Sequence, residues 1–475
     1  MKKRLLLTIP VLAGAMALAG CGGGDDAPEV VVPETPQVEQ TTNEPAPAPE
    51  ASEDAPSRDF GGLEIVVGTW WDDYDTDTFV PSGALEEAVL DMRRAAEQRY
   101  NFRVRELFIA PMIEIQELAA MSIMAGDPYA HVMAFQPMMW GPLHAQGMFA
   151  PLVGPSIDFN DTSQTSWVHN VVDATRRNGN PYGYGYISPV GGGIYWNLRL
   201  FEEAGLDPEL PFDLLMAGQW TWDAFMDILR TVNRDTTNDG VIDAVGFAAL
   251  SEWTVDMAVA SNNAPYVISD PATGNLVNNT NSPEFLEALD FTRNILEEGL
   301  MVLPPDGSEW NWPILQFSEA QVAMTVGFDW MSWELQGMTD TIGFVPFPMG
   351  PNANNHTFIA NMNLYSVPIT HEDMVDDIMF IMNQWLANPP GFDDDYAWMS
   401  GAFIQFHHPR SVEDSLAHFN RNPALVFPPM HQFVPGLEMG PLFGWEIWDL
   451  ENDTTNLVEA AQLQINSILD EHNNQ

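Results

Sequence analysis

The sequence predicts an α/β protein built as two lobes, and three observations carry that reading. From residue 63 to 135 the hydrophobic pattern alternates strand, helix, strand, helix, strand, the order that yields a parallel sheet with helices on its faces. The roughly 415 residues beyond position 60 exceed what a single hydrophobic core supports. With 45% hydrophobic residues, the chain has the material for more than one core.

The first strand lies in Leu63–Trp71, where Ile65, Val66 and Val67 form a short buried run. A helix follows, with Leu85, Val89, Met92 and Ala96 at helical spacing. Phe102 to Ile109 reads as a second strand. Met112 to Met124 is a second helix, stopped by Gly126-Asp127-Pro128, and His131 to Phe135 is a third strand. Thr221 caps a helix that carries Trp222, Phe225, Leu229 and Val232, because its hydroxyl can accept from a first-turn amide. Ser282-Pro283 opens another, with Pro where no intrahelical donor is lost, and Gly299 ends it after Phe285, Leu289 and Leu296. Met374, Ile378, Ile381 and Trp385 mark one helix face before Pro389-Pro390. The last helix uses Leu457, Ala461, Ile465 and Ile468, and no internal repeat is present.

The amino terminus addresses the chain for export. Lys2, Lys3 and Arg4 precede an apolar run from Leu5 to Leu18, too short for a spanning helix of ~20 residues. Leu18-Ala19-Gly20-Cys21 resembles the bacterial lipoprotein consensus, which implies cleavage after residue 20 and a lipid on Cys21. Residues 21–60 are rich in Pro, Gly and acidic side chains and poor in large apolar ones. They cannot bury enough surface to offset their ordering entropy, so a disordered tether is expected. Cys21 is the only cysteine, which excludes an internal disulfide and a Cys-rich zinc site.

The formal net charge is −50, and Lys2 and Lys3 are the only lysines. Phosphate recognition needs clustered cations, so nucleic acid is excluded as a partner. A strongly anionic ligand would meet a repulsive field. The acidic surface is read as a solubility device.

Five further stretches occur in an order that matters. They are Gly192-Gly-Ile-Tyr-Trp-Asn-Leu-Arg-Leu-Phe-Glu-Glu-Ala-Gly-Leu206, Trp220-Thr-Trp-Asp-Ala-Phe225, the acidic turn Asp235 to Phe247, Phe317-Ser-Glu-Ala-Gln-Val-Ala-Met324, and Phe344-Val-Pro-Phe-Pro348 followed by Gly350-Pro351. Together they resemble extracellular solute-binding protein family 1, the carbohydrate-type binding proteins of ABC importers, with Ala320 where the family has Gly. The resemblance runs from Leu63 to the carboxyl terminus. It implies a type II periplasmic-binding-protein-like fold of hinge-linked α/β lobes with a ligand cleft. Lobe 1 would take residues 61–186 and 346–400, and lobe 2 residues 187–345 and 401–475. Crossings fall near Tyr186–Gly191, near Phe344–Pro348, and from Gly401 onward. The implied activity is delivery of a sugar to ABC permease subunits by a monomer held to the cell membrane only by its lipid.

A sugar offers an apolar C–H face to an aromatic ring and a rim of hydroxyls to Asp, Glu, Asn and Gln. Ligands in open parallel sheets bind beyond the carboxyl ends of strands. Aromatic and polar residues at such places are Trp70, Trp71 and Asp72; Gln136 and Trp140; Tyr195 and Trp196; Glu252 and Trp253; Asp329 and Trp330; and Trp445. The resemblance implies ligand contacts there, while a core role is the ordinary alternative for any tryptophan. Trp222, Trp385 and Trp448 fit helix faces better.

In the acidic turn, Asp235, Thr237, Asp239, the Val241 carbonyl and Asp243 follow the first part of a calcium loop. The twelfth position, which should hold a bidentate Glu, is Gly246. A turn capped by its own side chains is the competing reading. No other cofactor is expected. A secreted glycan hydrolase, which needs two opposed carboxylates, and a ligand-sensing lipoprotein without transport role are the alternatives. The chain has no H-E-x-x-H, G-x-S-x-G or Walker motif to support an enzyme.

Overall fold

The structure is a computed structural model describing residues 58–474 apart from 160–168, 186–190, 360–362, 388, 390, 392–398, 421–425, 428–429 and 452. The expected signal, the lipid site at Cys21, nearly all of the tether, and the crossing at 186–190 lie outside these residues. Two sheets organise the rest. In chain order their strands are β1 (Leu63–Thr69), β2 (Tyr74–Asp75), β3 (Phe102–Phe108), β4 (Val132–Phe135), β5 (Gly192–Asn197), β6 (Val245–Ala248), β7 (Val322–Phe328), β8 (Ile342–Pro346) and β9 (Leu364–Ser366). The first sheet has the order β9-β4-β1-β3-β2 and the second β8-β5-β7-β6.

In the first sheet β1 runs parallel to β3 and β4, in register from Leu63↔Phe102 to Thr69↔Phe108. Both faces are covered, as a parallel sheet requires. Ile65, Val67, Val104, Val132 and Ala134 meet helix Val375–Trp385 on one side. Met133 and Phe135 meet helices Met112–Met124 and Pro137–Ala145 on the other. All four residues of β4 are buried, because a central strand has no solvent face.

The second sheet repeats the layering. Ile194, Trp196, Phe247, Met324 and Val345 pack under helices Trp222–Val232, Ser251–Ser261, Pro283–Glu297 and Thr454–Asn473. Tyr195, Val322, Ile342 and Phe344 face a separate core with helices Trp312–Ser318 and Met399–Gln405. The expected caps form: the Thr221 hydroxyl accepts from the Ala224 amide and Ser282 from Phe285. Trp196 lies opposite Gly343 on β8, and a Cβ on that glycine would sit 2.3 Å from the indole. Only glycine leaves the ring its place.

Pairing directions fix which ends of the sheets meet the crossings. β9 is antiparallel to β4 with Leu364 opposite Phe135, so the returning chain enters the first sheet at the carboxyl end of β4. Tyr184, on the outgoing chain, is bridged to Tyr365. β5 is antiparallel to β7 with Gly192 opposite Phe328, so the outgoing chain arrives at the carboxyl end of β7. Both sheets therefore turn their carboxyl ends toward the crossing chains. Gly191 marks how closely these pass, since a Cβ there would lie 1.8 Å from the Ile359 carbonyl oxygen.

The return differs from the expected one near Phe344–Pro348. Trp220 donates its indole N–H to Pro346 O, the Met349 amide donates to Trp220 O, and Phe347, Phe358 and Ile359 stay in the second lobe's cores. Among the described residues, Leu364 is the next one packed in the first lobe. A later segment, Met430–Phe433, touches both lobes. Phe433 meets Trp140 edge-on at 6.0 Å, and His431 meets Tyr266 at 4.5 Å.

Candidate functional site

At the carboxyl end of β1 the chain turns sharply. The Thr69 hydroxyl bridges Trp71 O and Leu107 O. Trp70 and Trp71 follow as a T-shaped pair with centroids 5.0 Å apart, both half-buried. The Trp71 indole donates to Glu106 Oε2 at 3.0 Å, and Asp73 accepts from the Phe108 amide, so neighbouring strand ends hold the pair in place. Asp72 beside them is exposed. Gln136 stands at the end of β4, half-buried, where Pro137 opens the next helix.

The second lobe presents a larger aromatic surface. Trp253 lies in the first turn of helix Ser251–Ser261, just beyond β6, and Trp330 follows β7. Their rings are perpendicular at 6.1 Å. Trp310 completes a triangle at 6.4 Å from Trp253 and 6.2 Å from Trp330, and it is 54% exposed. The buried Tyr195 hydroxyl donates to Phe328 O at 2.9 Å and steadies this strand end, while the Asp329 carbonyl accepts from Ser332 and from Gln405 Nε2. Trp310 was not among the expected residues. Its one sequence signal is its place in Trp310-Asn-Trp-Pro313, just before a Pro-opened helix.

Glu252 and Trp445 meet on the same lobe. The indole N–H of Trp445, a residue 63% exposed, donates to Glu252 Oε2 at 2.6 Å. Gly444 allows this approach, because a Cβ there would come within 2.9 Å of the Glu252 backbone. One turn deeper, Asp256 accepts from the Tyr266 hydroxyl at 2.6 Å. Burial, more than the Glu252 charge, pushes its carboxyl up to about 7.

Three expected residues are placed elsewhere. Trp140, Tyr195 and Trp196 are fully buried. Trp140 donates to the Ser366 hydroxyl and stacks on His144, and Trp196 donates to Pro208 O. With no accessible surface and polar atoms already satisfied, these side chains serve the cores. Tyr195 and Trp196 sit on opposite faces of a strand covered on both sides, so adjacent aromatics are both buried there. Trp222 and Trp385 are buried as expected, Trp222 stacking on Phe291 at 4.1 Å.

In the acidic turn the three carboxylates expected to bind calcium accept hydrogen bonds from the turn itself. Asp235 accepts from the Gly240 and Asp239 amides and the Thr237 hydroxyl, Asp239 from the Val241 amide, and Asp243 from the Thr236 amide and hydroxyl. Among the described residues no three His, Cys, Asp or Glu side chains converge as metal ligands. A depression of about 400 Å³ lined by Asp77, Arg94, Glu97 and Arg103 lies at the amino end of β3. It is at the opposite end of the sheet from Trp70, and its Arg103 is paired with Asp75 and Asp77.

Comparison with known proteins agrees with this geometry. The sequence model of the bacterial extracellular solute-binding proteins matches residues 117–373. No curated protein matches the chain by sequence. Among solved structures, the cyclic alpha-maltosyl-1,6-maltose binding protein from Arthrobacter globiformis is 16% identical with a TM-score of 0.61, over 86% of this chain and 100% of that one. UgpB from Mycobacterium tuberculosis, solved with glycerophosphocholine, is 15% identical at 0.59, over 87% and 100%. The GacH receptor of Streptomyces glaucescens, solved unliganded and with acarbose, is 12% identical at 0.57, over 86% and 99%. At these identities the likeness is one of fold, the two-lobed α/β architecture.

Proposed function

Because this chain belongs to the bacterial extracellular solute-binding proteins, we propose that it binds a sugar or oligosaccharide between its lobes and delivers it to an ABC permease, without catalysing a reaction. The observation that carries this reading is the pairing of aromatic surfaces: Trp70 and Trp71 end a strand of one sheet, and Trp253, Trp310 and Trp330 cluster where two strands of the other end. Aromatic faces match the apolar side of a pyranose, and Asp72, Gln136, Glu252 and Asp329 stand beside them as groups for hydroxyls. Closure of the lobes would bring the two surfaces onto opposite sides of one ligand.

The ligand of this reading carries no net negative charge. The described arginines are engaged with carboxylates, carbonyls or rings, as in Arg103 with Asp75, Arg199 with Asp340 and Arg410 with Asp414. Attachment is assigned to a lipid on Cys21, because Leu18-Ala19-Gly20-Cys21 resembles the lipoprotein consensus.

A melting-temperature screen of the purified protein against mono- and oligosaccharides tests the reading. A ligand bound only by the native state adds ~2.7 kcal/mol at 100 times its Kd, a rise of several degrees. No shift with any neutral glycan would overturn the sugar reading. Release of shorter products from the same panel would favour a hydrolase.

A further inference from the structure

Helix Met399–Gln405 belongs to the second lobe: Met399, Ala402 and Phe406 are buried in its core. Its outer side faces the other lobe. The Ile404 methyl Cδ1 lies 3.0 Å from the position a Cβ would take on Gly83, and Leu85 Cδ2 lies 3.6 Å from that position on Gly401. Gly83 caps helix Ala84–Tyr100 and Leu85 is in its first turn. This helix ends at Tyr100, directly before the amino end of β3, so its start lies on the carboxyl-end side of the first sheet, where Trp70 and Trp71 emerge. The contact therefore joins the lobes on the side of the proposed ligand site, on a helix that shares its core with Phe358 of the returning chain.

Its second-lobe half is tied to the aromatic cluster. Gln405 Nε2 donates to Asp329 O at 3.1 Å, next to Trp330. Gln336 Nε2 donates to Ile404 O at 3.3 Å and to Gln405 O at 2.6 Å. A shift of the Trp330 turn is thus passed to Ile404 through backbone carbonyls. We propose that Leu85 and Ile404, seated against Gly401 and Gly83, form an apolar latch that holds the lobes in the arrangement seen here before any ligand binds. Ile404 is still 46% exposed, so the latch is weak by construction. It biases the equilibrium between lobe arrangements, and apparent affinity follows the fraction already competent to bind.

The test needs no ligand, so its outcome is separate from the sugar reading. In a Cys21→Ser background, Asp91→Cys and Asp227→Cys place spin labels on exposed helix positions of the two lobes, and pulsed dipolar spectroscopy reads the distance between them. Ile404→Asp and, separately, Leu85→Asp should each lower the ratio of this arrangement to all others in the ligand-free protein about fivefold or more. The pair together should add little to either alone, as for partners in one contact. Ile404→Ala, a milder change, guards against misfolding of the charged variants and should move the ratio the same way. Distance distributions identical to the parent in Ile404→Ala and in either folded charged variant would overturn the latch.

Discussion

Replacing Gly191 with alanine asks how tightly the crossing chains are packed. The new Cβ would stand 1.8 Å from Ile359 O, 2.6 Å from its carbonyl carbon and 3.2 Å from Phe358 Cβ. A carbon and a carbonyl oxygen sit comfortably at roughly 3.3 Å, so the two strands must part by about 1.5 Å. The obstacle is backbone, and no rotamer change relieves it. Overpacking of this kind costs ~1–3 kcal/mol, and a backbone clash belongs at the upper end. The shift per kcal/mol falls with size from ~2–4 °C at 150–250 residues to about 1–2 °C for a body of roughly 415, so Gly191→Ala should melt roughly 3–6 °C below the parent by calorimetry. Gly147→Ala is the control. It has φ +70 and nothing within 4 Å of the added carbon, so it should show only the smaller backbone penalty. If Gly191→Ala melts within about 2 °C of the parent, the crossing chains do not pass as described and the topology argument built on them fails.

Three other expectations can be checked with the same protein. Trp330→Ala and Trp310→Ala should each weaken binding of the best glycan from the screen about tenfold while shifting the melt little. Parent-like affinity in both would remove the cluster from the site. Trp140→Ala should instead lower stability by ~3–5 kcal/mol in guanidinium titrations, because its ring is fully buried. A loss under 1 kcal/mol would contradict its core placement. Asp256, whose carboxyl is raised from 3.8 to about 7, binds protons more readily folded than unfolded, so its contribution is full below pH 3.8 and is lost as pH rises toward 7. His431, lowered from 6.5 to about 3 by burial, acts in the opposite sense: its contribution is full above pH 6.5 and is lost as pH falls through that window. Because the two windows overlap with opposite sign, Asp256→Asn should make urea midpoints rise more steeply between pH 4 and 7 than in the parent, and an unchanged slope would refute the assignment.

Much of the fold is legible in the sequence because it is local. Met112–Met124 is bounded as its pattern and the Gly126-Asp127-Pro128 stop require, and the Thr221 and Ser282 caps form as their hydroxyls allow. Depth is less legible. Position after a strand fits Trp70 and Trp140 alike, yet the first is half-buried at a strand end and the second closes a core with Ser366, a partner 226 residues away. Trp310 carries no periodicity because it lies between elements, and only its neighbours in space, Trp253 and Trp330, give it meaning. The late return was hidden for a related reason. Pro346 looks like an exit, but Trp220 and Met349 hold the chain against the second lobe by bonds that no local pattern announces.

The fit of Trp196 over Gly343 has a consequence for how the protein finds its shape. A slip of one residue between β5 and β8 would set the indole against Ile342 or Phe344 instead of the one position lacking a side chain, and would exchange Tyr195 with Trp196 between two separate cores. That alignment is therefore strongly preferred over its neighbours. Since β5 is the strand reached directly from the crossing, the preference also sets the phase in which the polypeptide leaves the first half of the molecule. Errors in pairing would be penalised where they would otherwise misalign the two halves.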